Sequence, residues 1–353
     1  MPFPILRAPF VVQSEIISLL EPNEIVTASF CSKKVKHFLK GHYQQRKPLE
    51  WRLIMVDCDS YGHVDIMTSK NAKKIPVIGA EDFSELDKSI PIPPDNKTYV
   101  ATFDTEHSCP VIYLRDRVMA VQWIVKYVTD LFNLDIYGLE VDGEGIWAID
   151  WIKNRQEKML DRFVWYGDEA AMDHVLRNAR ASDYYILDGD VSQNFQFDGN
   201  LGPANHFLTG LHGHWVTINN LTNFDFESIV VRRCRLSVPD LYAFIGHWRS
   251  GGSPRLTFLR LEFDNQLDFE HFENELEVVK RDISGEYRLD DGENWSFNHG
   301  YSIQRDGGVK AVIDIDEDNC YFVMMVCFGE DIYDRDNYSK KNSDQQFVLH
   351  QNV

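Results

Sequence analysis

Three constellations in this chain carry the residue types that catalysis or metal binding requires. Asp314, Asp316 and Asp318 share the D-x-D-x-D opening of a calcium loop. Such a loop needs glycine at its sixth position for the turn and a bidentate Glu at its twelfth. Here those positions hold Asn319 and Met325, so the carboxylates read as the solvated end of a hairpin. His206, His212 and His214 cluster beside Trp215, but the nearest cysteine, Cys234, lies twenty residues further on. Zinc requires more nitrogen or sulfur ligands at workable spacing, so these read as surface or capping histidines. Gly143-Glu144-Gly145 follows a strand-like run, yet the third glycine of a dinucleotide fingerprint would fall on Ala148, with bulky Trp147 and Trp151 nearby. No Gly-x-Ser-x-Gly elbow and no Gly-Lys-Ser/Thr occurs. Abundant carboxylates alone do not pick out an acid/base pair. No catalytic residue, no metal and no cofactor is expected.

Composition narrows the classes further. At 353 residues, with 44% hydrophobic and 26% charged residues, the chain suits one large or two medium globular domains. Thirteen per cent aromatics argues for extensive burial. The net charge of −19 is unevenly spread: residues 1–50 hold seven Lys/Arg against four Asp/Glu, so a basic head precedes an acidic body. That asymmetry suggests different partners for the two parts, and an acidic body argues against nucleic-acid binding. Six cysteines, at 31, 58, 109, 234, 320 and 327, are scattered without a disulfide or zinc framework, which fits a reducing compartment. The N-terminus has no signal-peptide pattern, and no apolar run reaches membrane-spanning length. On that basis the sequons at Asn96, Asn220, Asn294 and Asn337 read as chance, and no membrane partner is expected.

The elements that would position functional side chains follow from periodicity. Val12, Ile16, Leu19 and Leu20 are at helical spacing. Pro22 suits the first turn of a second helix, with Ile25, Ala28 and Ser29 on one face. Ser32 would cap a third helix carrying Val35, Phe38 and Leu39, which Gly41 would end. Trp51–Val56 and His63–Met67 read as a β-hairpin, and residues 68–98 as a surface excursion. Tyr99–Phe103 and Val111–Leu114 resume short strands. Over 117–265, strands are expected at Leu134–Val141, Arg162–Tyr166, Tyr184–Leu187, Trp215–Asn219, Ile229–Leu236 and Leu256–Phe263. Helices are expected through Met172, Val175, Leu176 and Ala179, and through Val238, Leu241, Phe244, Ile245 and Trp248. Ser237 with Asp240 opens the latter as a capping box and Gly251-Gly252 closes it. Such alternation predicts βα units on a largely parallel sheet: a degenerate βα solenoid, or alternatively a doubly wound sheet. Residues 286–328 are β-rich, with turns at Asp291-Gly292 and Asp306-Gly307 and a buried strand within Asn319–Phe328. The tail from Glu330 is polar and expected to be loose.

The first 45 residues stand apart. They are compact, apolar and mostly helical, and too short to bury a core alone. Pro9 opens the first helix, Ile16 and Leu19-Leu20 close it, Pro22 restarts the chain, and Ser29-Phe30-Cys31-Ser32 precedes a basic third helix. This order resembles an F-box, the helical module that attaches substrate receptors to the Skp-type adaptor of cullin ubiquitin ligases. One position departs from the pattern: Ala8 stands where leucine is usual before the proline. Leu6 or Phe10 could compensate. The stretch His247-Trp248-Arg249-Ser250-Gly251-Gly252, with Arg255-Leu256-Thr257-Phe258-Leu259, resembles the nematode family of F-box proteins with an F-box-associated domain.

The resemblance implies an α+β chain: a small three-helix F-box over 1–45, then a mixed α/β domain over 46–353. That domain would hold degenerate, leucine-rich-repeat-like βα units about 117–265, a β-rich part about 286–328, and β-hairpins at both ends. It further implies a non-catalytic substrate receptor in the cytoplasm or nucleus. The receptor would bind a Skp-type adaptor, through it a cullin scaffold, and an unknown protein target. Adaptor contacts would come from Pro9, Phe10, Ile16, Leu20, Pro22 and Phe30. If Leu259, Leu261 and Phe263 face inward, Phe258, Arg260 and Glu262 face outward. With Arg233 and Arg235 of the basic Arg232-Arg233-Cys234-Arg235 group, Phe258 and Arg260 are the candidate target-binding residues. Pairing of these arginines with neighbouring carboxylates is the plainer alternative.

Overall fold

The computed structural model describes residues 8–46, 50–68, 73–86, 99–281, 283–288, 294–297, 299–316, 320–327 and 333–334. It is a mixed α/β structure with nine α-helices among the described residues. None of them is long and apolar enough to cross a membrane. The chain divides into two compact units: Met1–Ala171 with Asn178–Arg180, and Met172–Arg177 with Ala181–Val353.

The first unit opens with α1 (Phe10–Ser18), α2 (Pro22–Cys31) and α3 (Lys33–Gln45). Pro22 sits in the first turn of α2, where its missing N–H costs nothing. Ser32 caps α3 by accepting from the Val35 amide, as expected. Gly41 does not end that helix: α3 runs on to Gln45, because nothing in the following turn offers a left-handed stop before Arg46. Then come β1 (Trp51–Cys58), β2 (Tyr61–Thr68), β3 (Lys74–Asp82), β4 (Val100–Asp104), β5 (Cys109–Leu114), α4 (Arg117–Phe132), β6 (Ile136–Val141), α5 (Trp147–Arg155) and β7 (Leu160–Trp165). The strand order is β7-β6-β1-β2-β3-β5-β4. Pairs β1–β6, β6–β7 and β3–β5 are parallel; β1–β2, β2–β3 and β4–β5 are antiparallel.

Two expectations are corrected here. Residues 74–82 are no surface excursion but β3, which lies between β2 and β5 in the sheet. Pro76 is tolerated because the β2–β3 register shifts beside it, at a bulge where a ladder donor is dispensable. Residues 69–72 and 87–98 of that stretch, Asn96 included, lie outside the described residues. The second correction is α4, a sixteen-residue helix in a stretch where no helix was expected. Its buried Val121, Ile124, Val125, Val128, Leu131 and Phe132 supply much of the unit's core.

The second unit contains most of α6 (Glu169–Asn178), then β8 (Ala181–Leu187), β9 (Ala204–Thr209), α7 (Ile218–Asn223), β10 (Phe226–Cys234), α8 (Val238–Arg249) and β11 (Phe258–Phe263). They are followed by α9 (Phe272–Leu276), β12 (Lys280–Arg281), β13 (Ile283–Arg288), β14 (Asn294–Phe297), β15 (Gly300–Gln304), β16 (Lys310–Asp316), β17 (Tyr321–Cys327) and β18 (Tyr333–Asp334). The order here is β8-β9-β10-β11-β17-β16-β15-β12, with a separate β14-β13-β18 ribbon. The run β8 to β11 is parallel, and each strand neighbours the next in sequence, without the reversal that marks a doubly wound sheet. Strands β15 and β16 form a hairpin around Asp306-Gly307, and β17 is the apolar strand expected near 319–328. Residues Asp291-Gly292, Asp318, Asn319 and most of the tail lie outside the described residues.

Trp215–Asn219 is not a strand. Trp215 and Val216 are buried in a loop, and Thr217 then caps α7 through a box with Asn220. The parallel strand in this region is β9, whose short sequence Ala-Asn-His-Phe-Leu-Thr alternates too weakly to stand out. Helix α8 begins at the Ser237–Asp240 box as expected.

Candidate interaction surfaces

The N-terminal helices divide the six adaptor candidates into two groups. On α1, Phe10 is 49% exposed, flanked by Val11 at 69% and, at the far end, Leu19 at 82%. Pro9 is exposed, while Ile16 and Leu20 are half-buried. Ser14 and Ile17 form the inward face of α1. The Arg46 guanidinium lies 5.4 Å above the Phe10 ring and also donates to the Ser14 hydroxyl at 2.6 Å, holding α1 against the end of α3. The second group faces the body. Pro22 is buried in α2 beside Ile25 and Val26. Phe30 stacks on Tyr127 of α4 at 4.8 Å and approaches Trp123 at 6.3 Å. Helix α2 thus spends its apolar side on α4 and the sheet, whereas α1 turns Ile17 inward and leaves Phe10, Val11 and Val12 exposed. An exposed row of large aliphatic and aromatic side chains is costly for a chain that has no use for it.

An aromatic series centred on α4 was missed by sequence reasoning. Trp123 and Tyr127, four residues apart on one helix face, stack at 5.1 Å, and Tyr99 packs on Trp123 at 5.0 Å. Lys36 of α3 lies 3.7 Å over the Tyr127 ring. Burial there lowers the Lys36 pKa, opposed by the attraction of Asp130. The i, i+4 spacing of Trp123 and Tyr127 was the available signal.

Two buried carboxylates of the first unit, Glu140 and Asp57, are matched by basic or N–H donors. Glu140 of β6 accepts from Lys74 at 2.6 Å and from Arg162 at 3.3 Å. Asp57 of β1 is wholly buried, accepting from Arg117 at 2.5 Å and from the Trp147 indole at 2.9 Å. Burial pushes the Asp57 carboxyl up to about 6, in spite of Arg117.

In the second unit the target candidates sit on β10 and β11. Strand alternation is as expected: Phe258, Arg260 and Glu262 share one side and Leu259 and Leu261 the other. Phe258 is not available to a partner, however, being fully buried among Val230, Val312, Val323 and Met325. Arg260 pairs with Glu262 at 2.8 Å and Arg232 approaches the same carboxylate at 3.8 Å. Arg233 lies 3.8 Å from Asp264, and Arg235 donates to the Gln193 carbonyl at 3.3 Å. Arg232 and Arg260 therefore share the Glu262 carboxylate, Arg233 and Arg235 have separate acceptors at the C-terminal end of β10, and Arg233 and Arg235 remain exposed. Arg233 occupies the left-handed region (φ 53°) at the point where the β10–β11 register shifts.

The histidines are distributed over separate partners. His206 faces Asp183 at 3.7 Å and stacks on Tyr184 at 4.7 Å, His212 faces Asp190 at 3.5 Å, and His214 contacts the Ser192 carbonyl at 2.8 Å. Among the described residues, no group of three His, Cys, Asp or Glu side chains could hold a metal ion. Asn220, one of the four sequons, is buried and donates to the Phe197 carbonyl at 2.7 Å, which closes it to glycosylation in the folded chain.

No curated protein and no solved structure matches the chain. Residues 191–261, which run from the loop after β8 through β9, α7, β10 and α8 into β11, match the family model described as F-box associated.

Proposed function

We propose that this chain is a substrate-recognition subunit of a Skp–cullin–F-box ubiquitin ligase. The F-box associated match at 191–261 carries the reading. It is supported by a helical N-terminal segment whose α1 presents Phe10, Val11 and Leu19 to solvent. In this reading residues 1–45 act as the F-box and 46–353 as the associated target-binding domain, with β8 to β11 and their helices as leucine-rich-repeat-like units. The outward face of α1 enters a groove of the adaptor by helix-in-groove recognition, with Pro9 and Phe10 at its centre and Ile16 and Leu20 at its margin. Pro22 and Phe30 contribute indirectly, by fixing α2 on the body. The chain performs no covalent chemistry. Tethering a target near the charged ubiquitin carrier raises the local concentration of the reacting groups and makes transfer intramolecular in character. Such a receptor works in the cytoplasm or nucleus. Arg233 and Arg235 are the exposed cations that an acidic or phosphorylated target segment would meet.

Co-expression with a Skp-type adaptor, followed by size-exclusion chromatography, tests the reading. Wild type should co-elute with the adaptor, and a Phe10→Asp, Leu19→Asp variant should stay folded and elute alone. A folded wild type that forms no complex would overturn it.

The burial of Pro22 and the packing of Phe30 on Tyr127 favour a second reading, in which the N-terminal helices are a structural part of an adaptor-independent interaction protein. That reading expects deletion of residues 1–45 to unfold the chain while the Phe10→Asp, Leu19→Asp variant keeps every partner.

A further inference from the structure

Strand β4 closes one end of the first unit's sheet, and among the described residues no strand pairs with its outer side. Natural sheet edges are commonly blunted by lysine, proline, a bulge or a covering segment. Strand β4, Val-Ala-Thr-Phe-Asp, has no lysine or proline, and its register with β5 is unbroken. Ala101 is exposed and Phe103 is 51% exposed.

The two sides of this edge differ in chemistry. Tyr99 packs on Trp123 of α4, and strand alternation puts Ala101 and Phe103 on that same side. Met119, one turn before Trp123 on α4, is 52% exposed, and Tyr99 itself is 41% exposed. This side is an apolar shelf. The other side carries Thr102 and Asp104, and the row Val100, Tyr113, Glu81 across β4, β5 and β3. Residues 99–114 contain Asp104 and Glu106 and no Lys or Arg. His107, 2.6 Å from Asp104, is the sole basic side chain in that stretch.

Backbone geometry is favourable as well. Phe103 pairs with Pro110 of β5, which has no N–H to share. That pair is therefore of the non-hydrogen-bonded kind, and by alternation the N–H and C=O of Ala101 and Phe103 point away from β5.

We infer that the outer edge of β4 is a docking edge for an extended segment of a partner protein, which adds as a further strand. Its alternate side chains are apolar, resting on Phe103, Met119 and Tyr99, and basic, facing Asp104 and Glu106. Main-chain bonds to Ala101 and Phe103 provide affinity, and the alternation provides specificity. A second copy of this chain, which would pair antiparallel through Ala101 and Phe103 and set Asp104 opposite Val100 or Thr102, is the competing occupant that the test distinguishes. The inference does not depend on the receptor reading, since the edge lies outside residues 191–261 and outside α1.

The test is fluorescence anisotropy of the full-length protein with a labelled peptide of alternating Lys and Val/Leu. The comparison peptide has the same sequence with alternate backbone nitrogens methylated. Wild type is expected to bind the first peptide and to lose at least tenfold with the methylated one. Phe103→Ser, and Ala101→Pro where circular dichroism shows it folded, are expected to lose a similar factor. Absence of binding overturns the inference. So does equal affinity for both peptides, which would mean attraction by charge alone. Concentration-dependent dimerisation of wild type, abolished by Ala101→Pro, would assign the edge to a second copy and also overturn it.

Discussion

Ser29 of α2 and Tyr127 of α4, 98 residues apart in sequence, share a buried hydroxyl–hydroxyl hydrogen bond of 2.8 Å. Ser29 also donates to the Val26 carbonyl, so the Tyr127 phenol is the donor between the two side chains. Burial raises the Tyr127 pKa, so the phenol stays protonated and able to donate. The two deletions therefore differ. Tyr127→Phe leaves Ser29 satisfied and should cost about 0.5–1.5 kcal/mol. Ser29→Ala strands a buried phenol and should cost about 1–3 kcal/mol. Urea unfolding of both variants measures this; a larger loss for Tyr127→Phe would reverse the assigned direction of the bond.

Gly41 occupies the interior of α3, and a Cβ built on it meets nothing within 4 Å. Glycine in a helix interior costs roughly 0.5–1 kcal/mol relative to alanine, mainly through the entropy of the unfolded chain. Gly41→Ala should therefore stabilise the first unit by about that amount and raise the thermal midpoint by a few degrees. Circular dichroism melting checks it, and a lowered midpoint would mean that α3 needs the flexibility of glycine there.

Helices α8 and α4 show what made an element legible. Helix α8 combines apolar residues at one helical spacing with a Ser237–Asp240 box and a left-handed Gly251 after its end. Both signals agree, and it was read correctly. Helix α4 has equally good ends, with Asp116 accepting from the Met119 amide and Asn133 left-handed at φ 56°. Its interior hides them: Val118, Val121, Ile124, Val125, Val128 and Thr129 are β-branched, and apolar residues lie nearly all round the helix because it is packed between sheet and N-terminal helices. Strand β3 was obscured by Pro76 and Gly79, two residues whose uses are tertiary. The proline sits at a bulge, and the glycine lets the Tyr61 ring lie against the backbone. The candidate surfaces follow the same division. Alternation placed Arg260 and Glu262 on one side of β11, whereas nothing in one strand could tell that Val230, Val312, Val323 and Met325 of other strands would bury Phe258.

Asp57 should make stability depend on pH in a direction opposite to that of an ordinary ion-paired carboxylate. Its folded-state pKa of about 6 lies above the ordinary value, so the folded chain holds this proton more tightly than the unfolded one. The contribution is complete below about pH 4 and is lost as pH rises through 6. Asp57→Asn, which keeps a neutral hydrogen-bonding group beside Arg117 and Trp147, lacks this titration. Between pH 4 and 7 the stability of the variant should rise relative to wild type by on the order of 3 kcal/mol. Parallel stability curves for the two proteins across that range would show that Arg117 keeps Asp57 ionised throughout.

Arg233 gives a way to separate strain from recognition at the end of β10. A non-glycine residue in the left-handed region costs roughly 1–2 kcal/mol. Nothing in its 3.8 Å approach to Asp264, with both side chains largely solvated, offsets that cost, because exposed pairs contribute about 0–1 kcal/mol. Arg233→Gly should consequently be neutral to stabilising, by up to about 1 kcal/mol, once the extra entropy of glycine is set against the relieved strain. Arg233→Ala keeps the strain and loses the ion pair, so it should be the least stable of the three. If denaturant unfolding ranks them in that order, the arginine is held at this bulge against the preference of the fold. Pull-down of target proteins with wild type and Arg233→Gly then asks what it is held there for. Loss of a target by a variant at least as stable as wild type would place Arg233 in recognition, and full retention would leave it a tolerated surface residue.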